Sequence, residues 1–305
     1  MAWVENSFPA LEVLHLVSNY NLTVLSNGFL MGGSDGAPRR LREIRVSNVS
    51  FPHCLLRSSR DLVSLYLDHD PVGGVGSLSA EALAAVLSET YQLEGLTVKS
   101  DPTTPFYPDQ RRANPSSPIN TCADLRALSR FGSQSSEYLE GLVSRVDAPI
   151  LGELDVSLFE HVSNVPRLSQ FVSRTKHLNS LPHRTTIGFS ATTVTIQHQF
   201  RQLELPPPRK VFSLTLSMGE RCAASNWIAS QVLHICGQFS GYTSSVEKLR
   251  IRIQIISADY EGDTDRWLQL LGGFRSMEDL HLFWWRWHRV PAVCTAHGAC
   301  SRRVH

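Results

Sequence analysis

Apolar and polar positions alternate within a short phrase that recurs along the chain. The phrase is Leu-x-x-Leu-x-Leu, and its last two apolar positions have the period-two spacing of a β-strand. Between the copies lie segments whose apolar residues recur at helical spacing. The pattern therefore predicts a repeated strand-plus-helix unit. Its copies begin at Leu11, Leu41, Leu62, Leu93, Leu125, Leu151, Val246 and Met277.

The spacing of these copies predicts the fold class. A phrase returning about every 20 to 30 residues is typical of leucine-rich repeats, in which each unit buries its apolar face against its neighbours. The spacing is uneven, which favours a degenerate array with loop insertions. We predict an α/β fold, an irregular leucine-rich-repeat-like solenoid with strands on one concave face and helices on the other. It would span 1–283, and 284–305 would be a poorly ordered tail.

Local signals place the helices and mark two interruptions. Ser79 is a good N-cap for a helix, and Pro166 suits the first turn of another. The segment 101–118 carries five prolines and predicts an exposed inserted loop. Residues 185–199 and 211–218 have strand-like composition without a clean copy of the phrase. We interpret them as two strands of an irregular repeat that continue the same sheet.

Composition narrows the classes of function. Hydrophobic residues make up 42% and charged residues 19% of the chain, and the formal net charge is +1. No long-range field then favours nucleic acid or an anionic membrane. There is no signal-like N-terminus and no apolar run of the ~18 residues that a membrane span requires, so we expect a cytoplasmic or nuclear protein without a membrane partner. Six scattered cysteines are expected to be reduced thiols.

Polar residues within the strand phrases are the candidates for binding a partner. One face of the predicted sheet is covered by helices, so a partner would meet the polar residues of the other face. Any one of them is also explained as the solvated side of a sheet. The candidates are His15, Arg45, Tyr66, Thr97, Asp155, Arg250 and His281.

The sequence gives little support for a catalytic motif. Gly73-Gly-Val-Gly76 has the glycines of a phosphate loop but lacks the lysine that should follow, so a tight loop is the better interpretation. There is no His-Glu-x-x-His motif and no Cys-x-x-Cys pair. We predict a protein that is not an enzyme and that has no cofactor.

The C-terminal residues contain a possible zinc-binding pattern. Cys294, His297, Cys300 and His305 are zinc-type ligands within a short segment. Structural zinc sites usually separate two ligand pairs by a folded segment, which this tail does not provide. We expect an irregular tail without metal. The preceding 283–289 stretch, rich in tryptophan and arginine, is better suited to covering the end of the array than to stacking on RNA.

Several phrases together resemble the repeat region of fungal F-box/leucine-rich-repeat proteins. They are 8–16, 37–44, 61–67, 136–149 and 168–175, and the resemblance covers roughly 1–283. In that family an F-box binds a Skp1-type adaptor of a ubiquitin ligase, and the repeats present substrates. Only ten residues precede the first phrase, which leaves no room for an F-box in this sequence. The resemblance therefore implies substrate recognition and gives no reason to expect a Skp1-type adaptor.

These observations favour a non-enzymatic scaffold for protein–protein interaction, with an unidentified protein as its partner. One alternative is an orphan or truncated repeat fragment that retains no partner. Another is a metal- or nucleic-acid-binding protein that acts through the C-terminal tail. A repeat scaffold determines the surface on which a partner binds, but it does not determine which partner binds.

Overall fold

The recurring apolar phrase forms β-strands, as its alternation predicts. In a computed structural model of the chain, Leu14 is buried in the first strand while its neighbour His15 is exposed. The structure describes residues 11–18, 23–24, 40–47, 49–50, 56, 59–69, 79–100, 120–122, 124–131, 136–159, 164–178, 182–190, 193–200, 211–217, 225–253 and 264–284.

The described residues form strands and helices. The strands are β1 (Val13–Val17), β2 (Thr23–Val24), β3 (Glu43–Ser47), β4 (Val49–Ser50), β5 (Ser64–His69), β6 (Gly95–Ser100), β7 (Asn120–Thr121), β8 (Ala127–Phe131), β9 (Val146–Asp147), β10 (Glu153–Phe159), β11 (Pro182–Phe189), β12 (Thr193–Phe200), β13 (Val211–Ser217), β14 (Lys248–Ile253) and β15 (Asp279–Trp284). The helices are α1 (Ala80–Glu89), α2 (Ser136–Val143), α3 (Pro166–Arg174), α4 (Ser225–Gln238), α5 (Ser240–Thr243) and α6 (Thr264–Gly272). Strand β5 is the first strand to be followed by a described helix of several residues.

Eleven strands form one open sheet. Its order is β1-β3-β5-β6-β8-β10-β13-β12-β11-β14-β15, and the short pairs β2-β4 and β7-β9 lie apart from it. Neighbouring strands run parallel except where β12 pairs with β13 and with β11. Since β1 and β15 stand at opposite ends of the order, the sheet does not close. The protein is thus a mixed α/β fold built on a large, mostly parallel sheet with helices.

The core lies between one face of this sheet and the helices. Each strand contributes a residue to a row that follows the strand register, and most of its members are buried aliphatic residues. Helix residues such as Leu83, Leu139 and Phe171 belong to the same core. Burying one such side chain contributes about 1.5–3 kcal/mol, so the row is a main source of stability. Its members are Leu14, Ile44, Leu65, Leu96, Leu128, Leu154, Phe212, His198, Thr185, Leu249 and Leu280.

A turn with the same hydrogen bond precedes six of the phrases. The leading residue of the phrase donates its backbone N–H to the carbonyl three residues earlier, as Leu62 does to Ser59 at 3.2 Å and Leu93 to Thr90 at 3.1 Å. The accepting residue is buried in every case. The leading leucine therefore closes the turn into the strand, as the sequence pattern predicts. The pairs are Leu62–Ser59, Leu93–Thr90, Leu125–Cys122, Leu151–Ala148, Val246–Thr243 and Met277–Phe274.

The segment without a clean phrase departs from its predicted layout. Residues 185–199 were expected to form one strand, but they belong to two, β11 and β12, which form an antiparallel pair. The turn between them is closed by Ser190, whose backbone N–H donates to the carbonyl of Thr193 at 2.8 Å. With β13 the segment supplies three strands instead of two. They do continue the same sheet, in the reversed order β13-β12-β11.

Two helices begin where the sequence signals place them, with different caps. The hydroxyl of Ser79 accepts a hydrogen bond from the N–H of Ala82 at 3.1 Å and caps α1. Pro166 occupies the first turn of α3, whose N-cap residue has no side-chain hydrogen bond. There the carboxylate of Glu140, from α2, accepts the N–H groups of Arg167 at 2.8 Å and Leu168 at 2.9 Å. A neighbouring helix thus supplies the missing cap.

Three predicted features fall outside the described residues. They are the tight loop at 73–76, the proline-rich loop 101–118 and the tail beyond Trp284. Strand β15 ends at Trp284, the first residue assigned to the tail from the sequence. Of the helices in the described part of the chain, none is long and apolar enough to cross a membrane.

Candidate protein-binding surface

Polar side chains form one continuous row across all eleven strands of the large sheet. Because side chains alternate between the faces of a strand, residues next to the buried row in sequence lie on the opposite face. Following the strand register from β1 to β15 passes through a polar residue at every step. We call this set the polar row. It consists of His15, Arg45, Tyr66, Thr97, Ser129, Asp155, Ser213, Gln197, Thr186, Arg250 and His281.

The structure places all seven sequence-derived candidates in the polar row. They came from separate copies of the phrase, and the common register brings them onto one line. Sequence reasoning missed Ser129, Ser213, Gln197 and Thr186. Ser129 directly follows Leu125-x-x-Leu128 and could have been found by extending that copy by one residue. The other three lie in the irregular segment. There the alternation within each strand could be seen in the sequence, but the pairing between the strands could not.

The β1 end of the surface carries an ion-paired cluster. The Nε of Arg45 donates to Oε1 of Glu43 at 2.8 Å, and Nε2 of His15 lies 3.0 Å from the same oxygen. The hydrogen bond with His15, assisted by Arg45, lowers the pKa of the Glu43 carboxyl group. The guanidinium of Arg45 also lies 5.9 Å from the ring centre of Tyr66. The charges at this end therefore have partners within the protein.

Tyr66 is the centre of the neighbouring contacts. Its hydroxyl donates to Oδ2 of Asp68 at 3.2 Å, and the ammonium group of Lys99 lies 5.2 Å from its ring centre. A cation near an aromatic face is attracted by the ring quadrupole. Asp68 and Lys99 lie inside β5 and β6, on the same face as Tyr66. This part of the surface is polar but has an aromatic centre.

The middle of the polar row is less exposed to solvent than its β1 end. Asp155 is half-buried on β10, and burial raises the pKa of its carboxyl group despite a hydrogen bond with Ser213. Ser213 is its register partner on β13. The side chains at the centre of the polar row are therefore shorter and less exposed than those of its β1 end.

The β14 end is basic and aromatic. Arg250 and Arg252 alternate along β14 on the polar face, and Arg184 lies on the adjacent strand β11. Beside them on β15 the rings of His281 and Phe283 stack, with centres 6.3 Å apart. No described carboxylate lies within ion-pair distance of the three guanidinium groups. At the β1 end, by contrast, Arg45 is paired with Glu43.

One hydroxyl–imidazole pair and two thiols of the described residues lie in the core. The hydroxyl of Thr185 lies 2.8 Å from Nδ1 of His198, a distance suited to a nucleophile and its base. Both residues are fully buried, and burial lowers the pKa of His198 to about 4. Burial likewise raises the pKa of the Cys122 and Cys236 thiols to about 12. A substrate has no access to these groups, so they serve packing.

The described part of the chain contains no cluster of three or more side chains suited to hold a metal ion. The Cys294, His297, Cys300 and His305 pattern lies outside the described residues, as does 285–289 of the tryptophan-rich stretch. The metal-binding alternative stays a prediction from sequence.

Neither a protein-family model nor a functionally curated protein matches the chain.

Proposed function

We propose that this protein is a non-enzymatic scaffold for protein–protein interaction that binds a protein partner on the face carrying the polar row. The carrying observation is the continuity of that row across eleven strands. The opposite face is packed against the helices, so the polar face is the broad surface on which side chains from many strands can contact one partner together.

The proposal includes a leucine-rich-repeat-like architecture. It is supported by the turn repeated before six phrases and by the parallel strands that follow those turns. In repeat proteins of this kind, the side chains that vary between units stand on the strand face, while the leucines maintain the stack. The resemblance of the phrases to F-box/leucine-rich-repeat proteins adds substrate recognition as the proposed role.

The experiment compares the two faces of the same molecule. A photo-activated cross-linking amino acid is placed at Thr97 or Thr186 in the polar row, or at Gln170, which is exposed on α3 of the helical side. The full-length variants are activated in extracts of the source cells, and cross-linked proteins are identified by mass spectrometry. A candidate is then purified and tested for direct binding.

We expect one partner to be cross-linked from Thr97 or Thr186. The same cross-link should be absent or much weaker from Gln170. The purified partner should bind the wild-type chain directly. Capture from Gln170 alone, or equal capture from all three positions, would overturn the proposal because the polar face would then have no special role.

A further inference from the structure

Three arginines on the polar face have no carboxylate partner among the described residues. Arg184 lies on β11, while Arg250 and Arg252 lie on β14; the register pairs Arg184 with Lys248 and brings it next to Arg250. Lys248 is matched by Asp279 of β15, with Nζ and Oδ2 3.6 Å apart. We call Arg184, Arg250 and Arg252 the arginine cluster.

The arginine cluster is unfavourable for the protein in isolation. Its Arg184 and Arg250 members have Nε atoms that are shielded from solvent and have no hydrogen-bond partner among the described residues. Burial, followed by repulsion from Arg184 and Arg252, lowers the pKa of Arg250. Donors that have lost water and face like charges would be stabilised by an anion. Stability alone gives no reason for this arrangement.

Aromatic rings flank the cluster. Phe283 is 38% exposed on β15, stacks with His281, and has the guanidinium of Arg252 5.9 Å from its ring centre. Gly188 is the register partner of Arg252 on β11, and the lack of a side chain there leaves the guanidinium open on that side. A ligand at this place would meet positive charge beside an apolar platform.

The spacing of the cluster matches an extended peptide. Arg250 and Arg252 are alternate residues of one strand, so their Cα atoms are roughly 6.6 Å apart. Alternate side chains of an extended peptide have the same separation. Carboxylates also fit the chemistry already found on this face, where Arg45 binds Glu43 and Lys248 faces Asp279. The planar guanidinium group is suited to carboxylate oxygens.

We propose that the arginine cluster binds an extended acidic segment of a protein partner through carboxylates at alternate positions, with Phe283 and His281 contacting its apolar groups. This inference rests on the proposed function and specifies the partner's chemistry. A long polyanion fits less well, since Glu153 and Asp155 lie on the same face and the net charge is only +1. Nucleic-acid binding draws on many phosphate contacts.

The test uses the full chain and a fluorescein-labelled peptide of alternating glutamate and threonine, about ten residues long. Fluorescence anisotropy measures its binding, with a glutamine–threonine peptide as the neutral control. The glutamate peptide should bind and the glutamine peptide should not. Arg184→Gln and Arg250→Gln should each weaken binding about tenfold, the effect of losing a charged hydrogen bond. Arg60→Gln, the same charge change at an exposed turn before β5, should not.

A second variant brings a competing carboxylate to the cluster. A Cβ at Gly188 would meet nothing closer than the Thr195 Cβ at 3.9 Å, so Gly188→Glu has room on the polar face. It should pair with Arg252 and suppress peptide binding. Thermal unfolding checks that each variant is folded; the Arg184→Gln and Arg250→Gln variants should be no less stable than wild type, because repulsion is relieved.

The chain's own carboxylates can compete with the peptide, since Asp259, Glu261 and Asp263 also occupy alternate positions in the sequence. Binding is therefore measured in the wild-type chain and in a variant with these three changed to amides. Arginine-dependent binding of the glutamate peptide in either background supports the proposal.

Three results would overturn the proposal. They are equal binding of the two peptides, unchanged binding in Arg184→Gln and Arg250→Gln, and tighter binding of a single-stranded oligonucleotide. A phosphoserine peptide that binds where the glutamate peptide does not would overturn the assignment to carboxylates. Any of these can occur while Thr97 still cross-links a partner, so failure here is distinguishable from failure of the proposed function.

Discussion

The buried histidine in the leucine row should make stability depend on pH. His198 replaces an aliphatic residue at this register position, where it stacks on Phe212 with ring centres 5.5 Å apart and contacts the hydroxyl of Thr185. Burial lowers the pKa of His198 to about 4, against an ordinary value of 6.5. Between these values the unfolded chain binds a proton that the folded chain does not.

The sign and size follow from proton linkage. Because the unfolded state binds more protons in this window, the free energy of unfolding rises with pH. The contribution of His198 is fully present above pH 6.5 and is lost progressively as the pH falls towards 4. At about 1.4 kcal/mol per pH unit, the loss amounts to about 3 kcal/mol, a large part of the stability of an ordinary domain.

The assay is urea unfolding followed by circular dichroism at several pH values between 4 and 7. The matched variant combines His198→Leu with Thr185→Val, which continues the aliphatic row and leaves no buried hydroxyl without a partner. The difference in unfolding free energy between wild type and this double variant isolates His198 from the other histidines. It should shift by about 3 kcal/mol in favour of the variant as the pH falls. A difference that stays constant over this range would refute the reasoning.

Three further outcomes are expected from the packing. Glu140→Ala should lower the free energy of unfolding by about 1–2 kcal/mol in urea titrations, because two N–H groups at the start of α3 lose their acceptor; an unchanged midpoint would contradict this role. Leu65→Ala should cost about 2–5 kcal/mol by the same measurement, whereas Val17→Ala, at a side chain 71% exposed, should stay within about 0.5 kcal/mol; similar costs would argue against the assigned faces. Burial raises the pKa of the Cys122 and Cys236 thiols to about 12. Both thiols should therefore resist alkylation by iodoacetamide at pH 8 in the native protein and react in urea, as judged by peptide mass spectrometry. Alkylation of the native protein would show that these thiols are accessible.

The strands and their faces could be predicted because they depend on local alternation. Leu65 and Leu67 are buried on β5, and Tyr66 between them lies on the polar face, as the phrase requires. Each copy of the phrase carries this information within six residues. The same holds for Ser79 and Pro166, since helix starts depend on backbone groups only a few residues away.

The irregular segment could not be predicted to the same degree. Residues 185–199 have the composition of a strand, yet whether a strand-like stretch turns back on itself depends on which neighbour it pairs with. Here β12 fills the position between β11 and β13, and the order along the sheet reverses. This pairing depends on contacts between residues that are distant in the sequence. It brings Gln197 and Thr186 into the polar row although no phrase marks them.

The sequence by itself determined that this chain forms strands and helices in repeated units, and which face of each phrase is polar, because both follow from the periodicity of apolar residues. Only the tertiary structure decided the register that joins His15 to His281 in one row, and the proximity of Arg184 to Arg250. The same holds for Glu140 at the start of α3. Such pairings are set by packing between segments distant in the chain, for which local alternation carries no signal.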